Sequence, residues 1–389
     1  MKKKIAILGS TGSIGKTLLE IINKDKKNFE IVLLSANKNY KTLLEQAKKF
    51  NVKNIIINEN NILKSKYNLN LNIYNSFNHL DKIFKKKIDY VMSSIVGIDG
   101  LHPTLNIIKY TKKIAIANKE SIVCGWNLIS KELKKNKTKF IPVDSEHFSM
   151  WYGLRDHSKS SINKIYITAS GGPFLNISQN KLNNVRAKDA VNHPNWKMGK
   201  KISVDSATMM NKIYEVIEAK NIFNISYDKI KILIHPKSYV HAIIKFNSGM
   251  IKIIAHETTM KIPIFNTLYS DSEKKLKSEQ LNIEILNNMN FSDIKKTMYP
   301  MINILDLLPN KTSLFETVIV SANDTLVQLF LKNKIKFKEI YKNLFSLISS
   351  RKFHKYKKIS PKKIEDLINL HDYVRLKLIK KVYKSQNVK

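Results

Sequence analysis

Only one cysteine, Cys124, occurs in the 389-residue chain. No intrachain disulfide can form, and a lone thiol fits a reducing cytoplasm. Long apolar runs are missing too: none is long enough for a membrane-spanning helix, which takes about 20 residues. The opening Met1-Lys2-Lys3-Lys4 has the basic start of a signal peptide, but the apolar stretch Ile5-Ala6-Ile7-Leu8 stops too soon for that peptide's core. A soluble, unprocessed, cytoplasmic chain is expected. Acids are scarce, 31 against 68 Lys and Arg, which leaves a formal net charge of +37. Such a field attracts nucleic acid or an anionic membrane surface. Yet the lysines are scattered, as at Lys85 to Lys87 and at Lys380 and Lys381. They lack the dense tail or the interleaved aromatics of a nucleic-acid platform. Compositional drift accounts for them, so neither nucleic acid nor membrane is an expected partner. The basic surface still helps to draw in an anionic substrate.

A chain of this length divides into two or three domains. In its first third, short β-branched runs at Lys4–Leu8, Glu30–Leu34, Asn54–Ile57, Tyr90–Ser93, Lys113–Ala117 and Phe140–Val143 alternate with helical patterns at Lys16–Asn23, Lys41–Phe50 and Leu101–Tyr110. That alternation predicts an α/β domain over residues 1–145, a doubly wound, Rossmann-like parallel sheet. Strands at Ile162–Ala169, Ile230–Ile234, Val240–Phe246 and Met250–Ala255, with a helix over Thr208–Lys220, predict an α+β catalytic domain over 146–270. Residues 271–311 read as a linker. Helical periodicity at Leu314–Lys332, Phe337–Ser349 and Pro361–Lys381 predicts a helical domain over 312–389, with Ser360 and Pro361 opening the last helix.

Gly9-Ser10-Thr11-Gly12-Ser13-Ile14-Gly15 follows the first strand and opens a helix. Glycine lets the backbone turn tightly and approach a pyrophosphate, and a helix N-terminus supplies amide donors. A Gly-rich turn alone is weak evidence; placed between first strand and first helix it points to a dinucleotide. NAD binders place an acid at the end of the second strand. Here Asn37-Lys38-Asn39 stand there instead. A cation with two amides suits a 2′-phosphate, so NADPH is the expected cofactor, although a solvated Lys38 is the bland alternative.

Asp144-Ser145-Glu146 follows an apolar strand. Two carboxylates at i and i+2 suit a hard cation such as Mg²⁺ or Mn²⁺. They equally suit a helix start, with Asp144 or Ser145 as cap and Glu146 favouring the dipole. Both readings stand at this point. Further on come Ser170-Gly171-Gly172-Pro173, His193-Pro194-Asn195-Trp196-Lys197-Met198-Gly199 and Ser203 through Lys212, then Glu215. Ser206, Asn211 and Lys212 offer hydroxyl, amide and ammonium donors around a helix start, a set that suits an anion. Singly, each is as well explained as a cap, a loop residue or a solvated helical side chain.

Together these stretches resemble the 1-deoxy-D-xylulose 5-phosphate reductoisomerase family. Ala117-Asn118-Lys119-Glu120-Ser121, Pro142–Glu146, Ala169–Pro173 and Ile234-His235-Pro236 with Ser238 and His241 extend the match in the family's order, from residue 5 to about 265. The resemblance implies a metal- and NADPH-dependent enzyme of the non-mevalonate isoprenoid pathway that makes 2-C-methyl-D-erythritol 4-phosphate by retro-aldol/aldol rearrangement and hydride reduction. It implies NADPH contacts at Thr11, Gly12, Ser13, Ile14, Asn37, Lys38, Asn39, Asn118, Glu120 and Gly199. It implies metal ligands at Asp144, Glu146 and Glu215. Substrate contacts would be Lys119, Ser145, Glu146, Ser170, His193, Ser206, Asn211, Lys212 and Glu215, with Lys119, Glu146 and His193 as the catalytic set. His193–Gly199 resembles the family's lid, with Trp196 covering the substrate, and the family implies a homodimer.

The chain departs from the family pattern at Ile213 and Tyr214, where a small and an aliphatic residue are usual, and at Lys237, which replaces an amide. The family's Leu-Gly-x-Pro-Asp-Met appears as Ala255-His256-Glu257-Thr258-Thr259-Met260. That last change is expected to touch a structural turn or subunit contact more than the chemistry. Two rivals remain: a semialdehyde dehydrogenase, for which Cys124 would have to be the nucleophile, and a basic nucleic-acid-binding protein on a degenerate dinucleotide fold.

Overall fold

The computed structural model describes residues 1–57, 70–178, 180–196, 198–272 and 274–386. The chain divides into two compact units, the first made of Met1–Ser121, Asn127–Trp151 and Met260–Ser278, the second of Ile122–Trp126, Tyr152–Thr259 and Glu279–Lys389.

In the first unit, β1 (Lys3–Leu8), β2 (Phe29–Ala36), β3 (Asn54–Ile57), β4 (Asn72–Tyr74), β5 (Tyr90–Ser93), β6 (Lys113–Ile116) and β7 (Lys139–Pro142) form one sheet in the order β4-β3-β2-β1-β5-β6-β7. All its pairings are parallel. The inner strands bury mostly apolar residues because both faces of such a sheet are covered. The expected doubly wound sheet is present. Strand order reverses between β1 and β5, which opens a crevice at their C-terminal ends, where sheets of this kind take ligands. The core gathers Ile5, Ile7, Leu34, Ile55 and Met92 with Ile264, Phe265 and Leu268 from the helix Lys261–Leu268. That late segment is fastened by Tyr90, whose hydroxyl lies 2.8 Å from that of Thr267, and by Tyr269, whose ring meets Phe29 edge-on at 5.6 Å. The stretch 271–311 supplies residues to both units, changing over after Ser278.

The second unit carries β8 (Ile162–Ala169), β9 (Ile230–Ile234), β10 (Val240–Phe246), β11 (Ile251–Ala255) and β12 (Ser292–Asp293), in the order β11-β10-β8-β9-β12. Only β8 and β9 run parallel within it. The expected helix over Thr208–Lys220 is two helices, Lys200–Thr208 and Met210–Phe223. They are separated by Met209 in left-handed backbone, φ 66°. Helices at Leu314–Leu331, Phe337–Ile348 and Ile364–Gln386 make up most of the C-terminal region. Ser313 and Glu316 form a capping box on the first of them. Ser360 does not cap the last: its hydroxyl donates to Thr312 O, and the Asp366 carboxylate takes the N–H groups of Lys362 and Lys363. Leu314–Leu331 is long and apolar enough to cross a membrane, but 83% of it is buried inside the protein.

Candidate active site

The loop after β1 has the backbone its glycines foretell. Gly9 adopts φ 82°, and a Cβ there would lie 2.9 Å from Ser94 O. At Gly15 a Cβ would come within 2.5 Å of Ser10 Cα and 2.6 Å of Gly9 O, so the first helix starts hard against the loop. Ser35 at the end of β2 holds the turn, taking the Gly9 N–H on its hydroxyl at 3.0 Å and the Ser10 N–H on its carbonyl at 2.9 Å. Gln46 braces the loop from behind, accepting the Ser10 hydroxyl at 2.7 Å and donating to Ser10 O at 3.0 Å. Gly12 caps the helix Ser13–Asn23 without a side-chain bond, and the first-turn N–H groups have no acceptor within the helix. Gly12 and Ser13 are exposed, Thr11 and Ile14 half-buried. Beyond β2, Asn37, Lys38 and Asn39 are exposed, and Asn39 caps the next helix by accepting the Thr42 N–H at 3.3 Å.

The Asn118 side chain is held at both ends. Its Oδ1 caps the helix Lys119–Lys135 through the Ser121 N–H at 2.7 Å, while its Nδ2 donates to Gly97 O at 2.7 Å and to Ile95 O. That capping directs Lys119 and Glu120, both buried, from the first turn of the helix. Lys119 Nζ lies 3.0 Å from Asp144 Oδ2, and His147 Nδ1 lies 3.6 Å from the same oxygen. Burial pushes the Asp144 carboxyl up, but Lys119 and then His147 outweigh it and hold the group well below the usual carboxylate range. Ser145 donates its hydroxyl to Glu146 and its N–H to Asp144 at 3.1 Å. Helix start and charged cluster are therefore the same place. Asp144 accepts the first N–H of the helix Ser145–Gly153 and is an ionised oxygen donor as well.

In the second unit, Gly171 and Gly172 turn the chain with φ 90° and 69°. A Cβ on Gly172 would meet Ser206 O at 2.9 Å, so the glycine lets the helix Lys200–Thr208 pack on the turn. Ser170 Oγ accepts the Gly172 N–H at 3.0 Å and faces His193 Nε2 at 3.0 Å. His193 Nδ1 accepts the N–H groups of Asn195 and Trp196 at 3.1 and 3.0 Å. The neutral ring thus carries its proton on Nε2 and donates it to Ser170. Burial pushes the imidazole down to about 4, so it is a neutral donor near pH 7. Lys197, within the same segment, lies outside the described residues, and Gly199 caps the following helix.

Just beyond Met209, Asn211 and Lys212 both donate to Glu215, on Oε1 and Oε2 respectively. Lys212 and Glu215 are 4% and 1% exposed, which for a charged pair requires mutual compensation. Ser206, in the last turn of the preceding helix, is half-buried. Ile213 and Tyr214 sit wholly inside, with the Lys201 ammonium 5.6 Å above the Tyr214 ring; the unusual residues fill core. Sequence reasoning passed over Asp205, which is buried, accepts Asn323 Nδ2 at 2.7 Å and pairs with Lys201 at 3.1 Å. It thereby ties this helix to the helix Leu314–Leu331. His147 was missed too, although its position three residues after Asp144 on a helix was a readable signal. Cys124 is buried within its helix, and a shielded thiol offers no nucleophile for a semialdehyde dehydrogenase.

Residues 5–125 match the family described as 1-deoxy-D-xylulose 5-phosphate reductoisomerase, and residues 140–223 and 256–377 match its two C-terminal domain families. A Pelagibacter ubique protein of that name is 57% identical over 382 residues, covering 97% of this chain and 98% of the relative. The chain belongs to the 1-deoxy-D-xylulose 5-phosphate reductoisomerase family. A Clostridium kluyveri reductoisomerase is 38% identical over 96% of this chain and 97% of its own. Among solved structures, the Zymomonas mobilis reductoisomerase in complex with NADPH superposes with a TM-score of 0.86 at 30% identity, covering 98% of this chain and 99% of that one. A reductoisomerase in complex with NADPH, fosmidomycin and magnesium gives 0.90 at 29% identity, covering 99% of each chain.

Proposed function

We propose that the chain converts 1-deoxy-D-xylulose 5-phosphate to 2-C-methyl-D-erythritol 4-phosphate, using NADPH and Mg²⁺ or Mn²⁺. The observation that carries this reading is the 57% identity, over 97% of the chain, to a 1-deoxy-D-xylulose 5-phosphate reductoisomerase. The β1 loop suits a dinucleotide: Gly9 and Gly15 stand where a Cβ would collide with backbone, and first-turn amides without an intrahelical acceptor follow. Thr11, Gly12, Ser13 and Ile14 would face the pyrophosphate, and Asn37, Lys38 and Asn39 a 2′-phosphate. Asn118, Glu120 and Gly199 complete the cofactor's contacts; Asn118 does so while capping its helix.

Asp144, Glu146 and Glu215 are assigned as metal ligands. They fit a hard divalent cation because all three offer carboxylate oxygens and Asp144 is ionised despite burial. When bound, the cation polarises the substrate carbonyl and NADPH supplies the hydride. Lys119 balances Asp144 and stands ready to steady negative charge developing on substrate oxygen. Glu146, bonded to the Ser145 hydroxyl, can relay a proton. Ser170, His193, Ser206, Asn211 and Lys212 would hold the substrate's phosphate and chain. Trp196 would cover the bound substrate and keep water out.

The same reading makes the enzyme a cytoplasmic homodimer. The single cysteine supports the compartment, and the exposed Ile251 and Ile253 on edge strand β11 support a partner subunit. Purified protein mixed with NADPH, Mg²⁺ or Mn²⁺ and 1-deoxy-D-xylulose 5-phosphate should consume NADPH only when metal is present, and Glu215→Gln should lose turnover. Oxidation of NADPH that proceeds equally in a chelator would overturn the assignment.

A further inference from the structure

The change around residue 256 reaches further than a turn. His256, just past β11, lies flat against His241 of β10, with ring centroids 3.7 Å apart and planes 20° from parallel. His241 in turn meets Trp196 in a T-shaped contact at 6.1 Å and 70°. Hydrogen bonds orient both imidazoles. A carbonyl oxygen only accepts, so His241 carries a proton on Nε2, 3.2 Å from His256 O, and His256 carries one on Nδ1, 2.7 Å from Glu257 O. Neither ring turns without giving up a bond, and His241 is 2% exposed.

This row of three rings ends at the segment His193–Gly199. Trp196 and Asn195 hold His193 Nδ1 through their N–H groups. The Asn195 amide also donates to Pro236 O at 2.6 Å and to Ser238 Oγ at 3.0 Å. The segment is therefore seated at two points, a polar clamp through Asn195 and an aromatic one through Trp196. The second depends on a ring, His256, at a position where the family pattern carries a different residue.

We propose that His256 is a positioning residue. By backing His241 it keeps Trp196 seated, and with Trp196 the backbone amides that fix the tautomer of His193 and its donor toward Ser170. Its effect on substrate rests on the reductoisomerase reading; its effect on Trp196 does not. Contact between two flat rings gives roughly 1 kcal/mol, a factor of about five in an equilibrium.

The test begins without ligand. The chain has three tryptophans, Trp126, Trp151 and Trp196, and subtracting the acrylamide quenching of Trp196→Phe from that of the wild type isolates the share of Trp196. In His256→Ala that share should become several-fold more quenchable, and in His256→Phe, which keeps a flat ring, it should stay as in the wild type. In the turnover assay His256→Ala should raise KM for 1-deoxy-D-xylulose 5-phosphate about fivefold with kcat nearly kept. His256→Phe should restore KM, and KM for NADPH should stay unchanged in both variants. Unaltered Trp196 quenching in His256→Ala, or a Phe variant as impaired as the Ala variant, would overturn the proposal. If quenching responds as expected while the wild type turns over no sugar phosphate, the stacked support stands and the reductoisomerase reading falls.

Discussion

Asp144 and Glu316 are both acids drawn in from solvent, the first half-buried just after β7 in the first unit, the other fully buried in the first turn of the helix Leu314–Leu331 in the second. Asp144 has Lys119 at 3.0 Å and His147 at 3.6 Å, and its carboxyl is held low against the pull of burial. Glu316 takes the N–H and hydroxyl of Ser313 on Oε2 at 3.1 and 2.6 Å, while Oε1 is buried without a hydrogen-bond partner among the described residues. Burial pushes that acid up to about 7, with the Ser313 bonds and the more distant Lys220 opposing only in part. Desolvation acts on both. What separates them is a lysine at contact distance, so the chain's surplus of positive charge matters where one ammonium is directed by a capped helix. Bulk net charge does not decide it.

The largest break in this comparison should come from Lys119→Met. Asp144 would then resemble Glu316, its carboxyl rising, and turnover should fall about 100-fold or more in the NADPH-consumption assay, the scale expected when a charge-stabilising donor is removed. A rate within a few-fold of wild type would mean that the lysine serves only the fold. Glu316→Gln should act next, on stability. The folded value of Glu316, about 7, lies above its ordinary 4.5. Its contribution is therefore complete below pH 4.5 and is lost as pH rises through about 7. The glutamine variant should lack that loss, so its Tm relative to wild type should climb by a few degrees between mildly acidic and alkaline buffer. Parallel Tm profiles would show that Glu316 does not titrate there.

The smallest effect concerns His193, where burial acts with no charged neighbour among the described residues to oppose it. Its folded value, about 4, lies below the ordinary 6.5. The associated stability is present above pH 6.5 and lost as pH falls through about 4. Ring proton resonances of His193 should stay unshifted from neutral pH down to about pH 5; a midpoint near the ordinary histidine value would contradict the buried, doubly bonded Nδ1.

Where strands of the parallel sheet are buried on both faces, the sequence marks them almost to the residue, as at Asn54–Ile57 and Tyr90–Ser93. β4 escaped because three half-exposed edge residues carry no such run. The last helix was opened too early because Ser360 and Pro361 make a good local start signal, while the Asp366 carboxylate that receives the N–H groups of Lys362 and Lys363 lies inside the helix. Within the site, the glycine loop was legible from local chemistry, since turn geometry is short-range, whereas Asp144 and Glu146 read equally well as a helix start. The Asp205–Asn323 bond spans 118 residues of sequence, and the His241–His256 stack depends on strand register. Neither leaves a local trace.

Met209 leaves none either, yet it governs how two groups of donors meet. Its φ of 66° is left-handed without glycine, a conformation that costs an ordinary residue roughly 1–2 kcal/mol, and its side chain is 2% exposed. The elbow between the helix that ends beyond Ser206 and the one that begins with Met210, Asn211 and Lys212 is thereby set by one pair of torsions and pinned by a thioether packed into the interior. Ser206 on one side of the elbow, and Asn211 and Lys212 with their acceptor Glu215 on the other, thus stand at a spacing decided when the chain folds.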